Sequence, residues 1–111
     1  MPCAICGHFR TEEAHVKPRE TFENYEDDRA LNIVLLCPNH HEAFDDGHIG
    51  IVPNKSGFLV QEGEAIIFKL STSNIHNLKD KYIEERNQAC EIKLRLRLGL
   101  IASASYLRMD F

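Results

Sequence analysis

The chain has 111 residues, which is enough for one domain with a modest hydrophobic core. It holds no apolar run of about 18 residues and no basic-then-apolar leader after Met1, so we expect neither a membrane span nor a secretory signal. The formal net charge of −4 excludes a generally basic surface for binding nucleic acid. We therefore expect a protein of the cytoplasm, where cysteine thiols stay reduced.

The charge is unevenly distributed along the chain. Residues 1–70 hold six basic and twelve acidic side chains, a net of −6, whereas residues 71–111 hold seven basic and five acidic, a net of +2. The acidic side chains concentrate between Glu20 and Asp28, which indicates a solvated loop. A phosphate-binding surface must therefore be local or come from a partner.

The first part of the chain predicts two strands followed by a helix. Residues 13–17 form a short strand that ends at Pro18, because proline cannot extend a β-ladder. Residues 33–36 are an apolar run with the length and branching of a buried strand. A helix then begins at Pro38, a favourable first helical residue, and ends at Gly47.

Three apolar runs that follow predict a small antiparallel sheet. Residues 49–52 and 57–60 flank a turn-rich tetrad, Pro53–Ser56, and a third run covers residues 64–70. These strands contain no convergent reactive side chains and are expected to act as scaffold.

The C-terminal segment, residues 71–111, predicts helix. Asn74 can cap a helix whose apolar face holds Ile75, Leu78 and Tyr82. Residues 92–98 alternate strictly, which is typical of a strand, but leucine, lysine and arginine are strong helix formers, so we favour helix. The apolar surface of these leucines is larger than one packing contact would bury. The segment therefore either folds back over the 49–70 sheet or mediates association, in a homodimer or a larger complex.

Four residues follow the pattern C-x2-C … C-x2-H, which is typical of one tetrahedral zinc ion: Cys3, Cys6, Cys37 and His40. Because four protein ligands fill a tetrahedron, such a Zn²⁺ is structural and staples the chain start to the start of the helix. The fourth cysteine, Cys90, has no partner at this spacing and is expected to be a buried structural thiol.

Other polar residues lie between or beside these ligands. Neutral imidazole suits His15 to take a proton from water, although a lone histidine on a strand is often only packed. Asn32 either forms a turn or offers its carbonyl oxygen to a cation. His41 and Asp45 are four positions apart on the predicted helix, so they project from one face and together could hold one divalent cation. Asp45 could equally be an ordinary polar residue at a helix end.

The basic residues nearest His15 are Lys17 and Arg19. Both are candidates for contact with phosphates of a nucleic acid, because the rest of the N-terminal half is acidic.

The ordered set of motifs resembles the HNH endonuclease family. The resemblance rests on Cys3–Gly7, Glu13–Pro18, Asn32–His41 and Phe44–Gly47, and it covers roughly residues 3–70. It implies an α+β fold: a zinc-stapled ββα-metal core, then a small antiparallel sheet and a C-terminal helical segment. Residues 1–70 would be the nuclease domain, and residues 71–111 an extension.

The resemblance also implies roles. His15 would be the general base, and Asn32 the middle residue that shapes the loop or helps hold the metal. His41 would be a ligand of the catalytic cation, Mg²⁺ or another divalent ion, with Asp45 a possible second ligand. The substrate would be the phosphodiester bonds of double-stranded DNA.

One position departs from the family pattern. Many members have a His or Asp, a metal ligand, directly before the general base, where this chain has Ala14. Some restriction-type relatives also have alanine there, and Glu13, Asn32, Asp45, phosphate oxygens or water would then complete the coordination. Two alternatives stay open. One is a catalytically silent zinc module that binds nucleic acid or protein, and the other is a nuclease subunit of a larger defence or restriction complex.

Overall fold

The computed structural model describes residues 1–17 and 30–108. The elements in chain order are β1 (Glu12–His15), one turn of 3-10 helix (Ala30–Asn32), β2 (Ile33–Leu36), α1 (Pro38–Asp45), β3 (Ile49–Ile51), β4 (Gly57–Glu62), β5 (Ala65–Leu70), α2 (Asp80–Ala89) and α3 (Ile92–Arg108). Two antiparallel sheets, β1–β2 and β3–β4–β5, are combined with the helices, so the predicted α+β class is confirmed. Among the described residues, no helix has both the length and the apolar character needed to cross a bilayer.

The β1–β2 hairpin presents one face to the core. Ala14 lies opposite Val34 and His15 lies opposite Ile33 in the antiparallel register. Ala14 and Val34 are buried, while His15 and Ile33 are only partly covered, as the alternation of side chains along a strand requires. The ladder ends at His15, two residues earlier than predicted, and the Val16 amide then donates to the Asn32 carbonyl at 2.8 Å.

Helix α1 begins and ends close to where its sequence indicates. Pro38 is its first residue, and the Cys37 thiol at the N-cap accepts a hydrogen bond from the His40 amide. The helix ends at Asp45, and Gly47 follows with a φ of +82°, a left-handed conformation that glycine adopts without strain. Phe44, the buried residue of the helix, packs into the core against the hairpin and the second sheet.

The second sheet has the strand order β3–β4–β5, which confirms the three predicted strands. Its two edges differ. The edge of β3 is covered by the side chain of Asn87, whose Oδ1 accepts from the Ile51 amide at 3.3 Å while its Nδ2 donates to the Ile51 carbonyl at 2.9 Å. Strand β5 forms the other edge and exposes Phe68 and Leu70.

The start of the first C-terminal helix was predicted wrongly. Asn74 does not cap α2, which begins at Asp80. Instead, Asn74 Oδ1 accepts from the His76 amide at 3.0 Å in a local turn. The Lys79 amide donates to the carbonyl of Leu31 at 3.0 Å, so a tertiary contact sets the beginning of this helix.

The stretch 92–98 is helical, as favoured, but a break separates it from α2. Cys90 has an extended backbone, with a ψ of 161°, and its thiol donates to the carbonyls of Ile49 and Arg86, both at 3.4 Å. The side chain is buried, as predicted, and this burial raises the pKa of the thiol. Residues 80–89 and 92–108 therefore form two helices rather than one.

Helix α3 folds back over the sheet. Leu94 and Leu98 are buried with Leu59 of β4 and with Val52, which directly follows β3. The close approach is possible because residue 50 is glycine: a Cβ there would lie 2.5 Å from Leu98 Cδ1. A second row of side chains on α3 remains largely exposed: Ile92, Leu96 and Leu100.

Candidate metal centre and active site

The metal centre joins the start of the chain to the start of α1. Its four candidate ligands are those predicted from the spacing: Cys3, Cys6, Cys37 and His40. The N-terminal pair flanks a turn in which the Gly7 amide donates to the Cys3 carbonyl at 2.9 Å, with Gly7 at a φ of +76°. This turn is tied to the hairpin, because the Ala4 amide donates to the Leu35 carbonyl at 2.9 Å.

The ligand atoms have the spacing of a tetrahedral site. The Sγ atoms of Cys6 and Cys37 are 3.8 Å apart, and Nδ1 of His40 lies 3.3 Å from Cys37 Sγ and 3.7 Å from Cys3 Sγ. All four atoms lie within 4.8 Å of one another. Tetrahedral zinc with bonds of about 2.3 Å places its sulfur ligands roughly 3.8 Å apart. The residues therefore fit one closed, structural zinc ion.

The surroundings favour the protonation states that zinc requires at Cys3 and His40, whereas burial raises the pKa of Cys6. Burial by itself would raise the pKa of Cys3, but hydrogen bonds from the backbone around Cys6, Cys37 and Ile5 outweigh it and hold the pKa below its ordinary value. For His40, burial and then the charge of Lys69 lower the pKa, so the ring is neutral near pH 7. A thiolate and a neutral imidazole are the forms that ligate metal.

A second group of polar side chains lies where α1 packs against β1. His41 projects from α1 and its side chain is 25% exposed. Its Nδ1 is 2.9 Å from Glu12 Oε1 on β1, and its Nε2 is 3.4 Å from Asp45 Oδ2 one helical turn later. The structure thus brings together His41 and Asp45, as predicted, and adds Glu12.

Glu12 was missed by the sequence analysis, which began the first strand at residue 13. Because side chains alternate along a strand, Glu12 lies on the same face as Ala14, two residues later. Ala14 is fully buried, so the position that often carries a metal ligand here contributes only to the core. The signal that could have found Glu12 is this period of two, read backward from Ala14.

Asn32 fixes the chain that follows the first strand. It is fully buried, its Oδ1 accepts from the Lys17 amide at 2.6 Å, and its Nδ2 donates to the Lys17 carbonyl at 3.3 Å. The side chain of Asn32 therefore forms a pair of hydrogen bonds with the backbone of Lys17, as a neighbouring β-strand would. Of the two roles considered, this geometry favours shaping the loop over ligating a cation.

Three predicted site residues remain, and the structure describes His15 and Lys17 but not Arg19. His15 is the last residue of β1, partly buried, and its neighbour across the hairpin is Ile33. The Lys17 side chain is 8% exposed and its Nζ lies 3.6 Å from Glu85 Oε2. It therefore presents little cationic surface to a phosphate. Arg19 lies outside the described residues.

The arrangement of hairpin, helix and cysteine-histidine cluster defines a ββα-metal fold whose cluster fits a zinc ion. Residues 3–52 match the family described as HNH endonuclease, so this segment of the chain is similar to that family. The matched segment contains all four zinc-ligand candidates together with His15, Asn32, His41 and Asp45. No curated protein matches the chain significantly.

A solved structure has the same fold. The modification-dependent TagI restriction endonuclease superposes with a TM-score of 0.63 at 22% sequence identity, over 80% of this chain and 33% of that one. The chain therefore spans about a third of the length of this enzyme. At this identity the likeness concerns the fold.

Proposed function

We propose that this protein is a metal-dependent endonuclease that hydrolyses phosphodiester bonds in double-stranded DNA. The observation that carries the proposal is the position of His41. Its ring lies on α1 between two carboxylates, beside the strand that ends at His15, within the segment that matches the HNH family. A general base and a cation ligand in neighbouring elements are what phosphodiester hydrolysis requires.

In this proposal His15 is the general base. A neutral imidazole at the end of β1 accepts a proton from the attacking water. Asn32 has a supporting role, because its two hydrogen bonds to Lys17 hold the chain that leaves the strand. The position of His15 is thereby fixed from both sides, by its pairing with Ile33 and by the bonded segment that follows.

His41 and Asp45 hold the cation. Two ligands of one divalent ion with bonds of about 2.1 Å are roughly 3.0 Å apart at a right angle, so the 3.4 Å between His41 Nε2 and Asp45 Oδ2 suits a shared ion. A cation bound there would polarise the phosphate and stabilise the departing 3′ oxygen. With few protein ligands, water and phosphate oxygens complete the coordination, which Mg²⁺ tolerates, whereas imidazole favours softer divalent ions.

A plasmid assay tests the proposal. The zinc-loaded protein should convert supercoiled DNA to open circles only when Mg²⁺, Mn²⁺ or another divalent ion is added. Asp45→Asn should raise the metal concentration needed for half-maximal cleavage, while Asp46→Asn, an exposed neighbour beyond the last turn of α1, should not. Cleavage that persists after removal of all cations other than the structural zinc would contradict the proposal.

A silent zinc module is the second candidate, and buried Ala14 is the observation that favours it. A chain that binds DNA but never cuts it, whatever divalent ion is supplied, would establish this alternative. The chain spans about a third of the TagI enzyme, a restriction endonuclease by name, so a nuclease part of a larger restriction or defence complex is also compatible.

The partners belong to the same proposal. DNA is the proposed substrate, and Arg19 remains a candidate phosphate contact, whereas the buried position of Lys17 gives it less support. A homodimer through α3 is proposed because Ile92, Leu96 and Leu100 recur every four residues and remain 63–67% exposed. We place the protein in the cytoplasm because its four cysteines are free thiols, three of which lie in the candidate zinc site.

A further inference from the structure

The two nitrogen atoms of the His41 ring face two different carboxylates: Nδ1 faces Glu12 and Nε2 faces Asp45. We propose that Glu12 is the positioning residue of the candidate cation site. It accepts a hydrogen bond from Nδ1–H of His41 and thereby aims Nε2 of the ring at the cation. This inference rests on the proposed function, because it assigns the residue that orients its metal ligand.

The backbone places Glu12 for this role. Strand β1 begins at Glu12, which pairs with Leu36 on β2, the residue directly before Cys37 at the N-cap of α1. The hairpin therefore brings the first residue of β1 beside the first turn of α1. Glu12 and His41 are 29 residues apart in sequence, so this contact depends on the tertiary fold.

The 2.9 Å contact between His41 Nδ1 and Glu12 Oε1 determines which ring nitrogen of His41 keeps its lone pair for a cation. In a neutral imidazole one nitrogen carries the proton and the other holds a lone pair. A carboxylate at Nδ1 favours the proton on that atom, which leaves the lone pair on Nε2, directed at Asp45. Histidines that ligate metals commonly donate their other N–H to a carboxylate in this way, which fixes the orientation of the ring and makes it a better ligand.

The same geometry separates the role of Glu12 from that of a metal ligand. A cation shared by Nε2 and Asp45 lies on the side of the ring away from Nδ1, where Glu12 is found. Glu12 therefore does not replace the ligand absent at Ala14. Glu12 instead restrains the ring of His41. This restraint matters because Ala14 is buried in the core and supplies no ligand, so fewer protein ligands remain for the cation.

Two variants of Glu12 separate these roles. Glu12→Gln keeps an oxygen that accepts from Nδ1–H but removes the carboxylate, whereas Glu12→Ala removes both. Glu42→Ala is the matched control, because it removes an exposed carboxylate of α1 at the position after His41, where the side chain projects from a different face of the helix. Zinc content and melting temperature of each protein establish that the fold is intact.

The first measurement is Mn²⁺ affinity of the zinc-loaded proteins by electron paramagnetic resonance. Glu12→Ala should raise the Kd about 10–100-fold, the usual effect of removing such a partner, whereas Glu12→Gln and Glu42→Ala should stay close to wild type. Equal losses in Glu12→Gln and Glu12→Ala would make Glu12 a direct ligand and overturn the proposal. Unchanged affinity in Glu12→Ala would overturn it as well.

The second measurement needs no added cation. Nitrogen-15 NMR at a pH where the ring is neutral reports which nitrogen of His41 is protonated. Wild type and Glu12→Gln should show the proton on Nδ1, and Glu12→Ala should shift the population toward Nε2–H. A wild-type protein with the proton on Nε2 contradicts the role of Glu12. A wild type with the expected tautomer but no Mn²⁺ binding contradicts the proposed cation site instead, so the two failures are distinguishable.

Discussion

The guanidinium carbon of Arg86 lies 4.1 Å from the centre of the Phe44 ring, so α2 contacts the buried side of α1 through a cation–π interaction. Arg86 is almost fully buried, and within the described part of the chain its Nε and Nη2 atoms have no hydrogen-bond partner. Burial lowers the pKa of Arg86, but the guanidinium remains charged at neutral pH. Helix α1, which carries the candidate site, therefore packs against a guanidinium group that is charged but buried away from water.

We expect Arg86→Leu to keep or increase stability, because it retains packing on Phe44 and removes the cost of burying a charge with unsatisfied donors. Arg86→Ala should instead lower the free energy of unfolding by about 1–3 kcal/mol, since it also loses the packing of the side-chain stem. Urea unfolding of the three zinc-loaded proteins measures both changes. Equal destabilisation by leucine and alanine would show that the guanidinium itself stabilises the fold.

The zinc ligands support a second prediction. The purified protein should contain about one zinc ion per chain, and chelation should lower its melting temperature because binding energy is folding energy here. Cys37→Ser should lose both the metal and the stability. Cys90→Ser changes a cysteine that lies outside the cluster and should keep the zinc. A well-folded protein without zinc by elemental analysis would rule out the staple.

The raised pKa of Cys90 predicts a dependence of stability on pH. Burial favours the neutral thiol in the folded state, although the charges of Arg86 and Arg95 oppose this effect. The unfolded chain releases this proton at about pH 8.5, so the stabilisation is complete below that value and is lost as the pH rises above it. The measurement is the difference in unfolding free energy between wild type and Cys90→Ser, followed from neutral to alkaline pH. A difference that stays constant would contradict the prediction.

Local signals explain why much of the fold could be predicted from the sequence. The boundaries of α1 follow from Pro38 and Gly47, whose backbone preferences act within a few residues. The break at Cys90 could not be predicted, because it depends on the hydrogen bond that the Cys90 thiol donates to the carbonyl of Ile49, a residue distant in sequence. The start of α2 is likewise set by the contact between Lys79 and Leu31, which overrides the capping tendency of Asn74.

In the candidate site, too, some features follow from the sequence and others depend on tertiary contacts. The cysteine and histidine spacing predicts a cluster because zinc restricts ligand number and geometry, and the ligand atoms do come together. Asn32 had two plausible roles, and only the position of Lys17 distinguishes them. The period of two along β1 places Glu12 on the same face as Ala14, but only the folded hairpin shows that Glu12 lies beside His41.

The proposed general base gives a further prediction. His15→Ala should lower the rate of plasmid cleavage by about 10² to 10⁴, because water then loses its proton acceptor. Zinc content should not change, since His15 is not among the clustered ligands. His8→Ala, in an exposed residue near the N-terminal turn, is the control and should cut at the wild-type rate. A His15→Ala protein with full activity would assign the proton transfer to another group.

The exposed face of α3 provides the last prediction. Leu94 and Leu98 pack on the sheet, so the row formed by Ile92, Leu96 and Leu100 is free to contact a second copy. Soluble proteins usually avoid such apolar rows unless a partner covers them, and a symmetric dimer would bury two copies of this row against each other. It would also bring two candidate sites to one duplex, which allows cleavage of both strands.

The paired substitution Leu96→Asp with Leu100→Asp should convert a dimer to a monomer without unfolding it, because both side chains are exposed in the single chain. Light scattering at tens of micromolar reports the mass, and a plasmid assay separates nicked from linear product. We expect the variant to nick at the wild-type rate but to linearise DNA more slowly. Lys93→Asp with Arg97→Asp, exposed charges on the same helix, controls for the added acid. A wild type that is monomeric at this concentration would exclude the dimer.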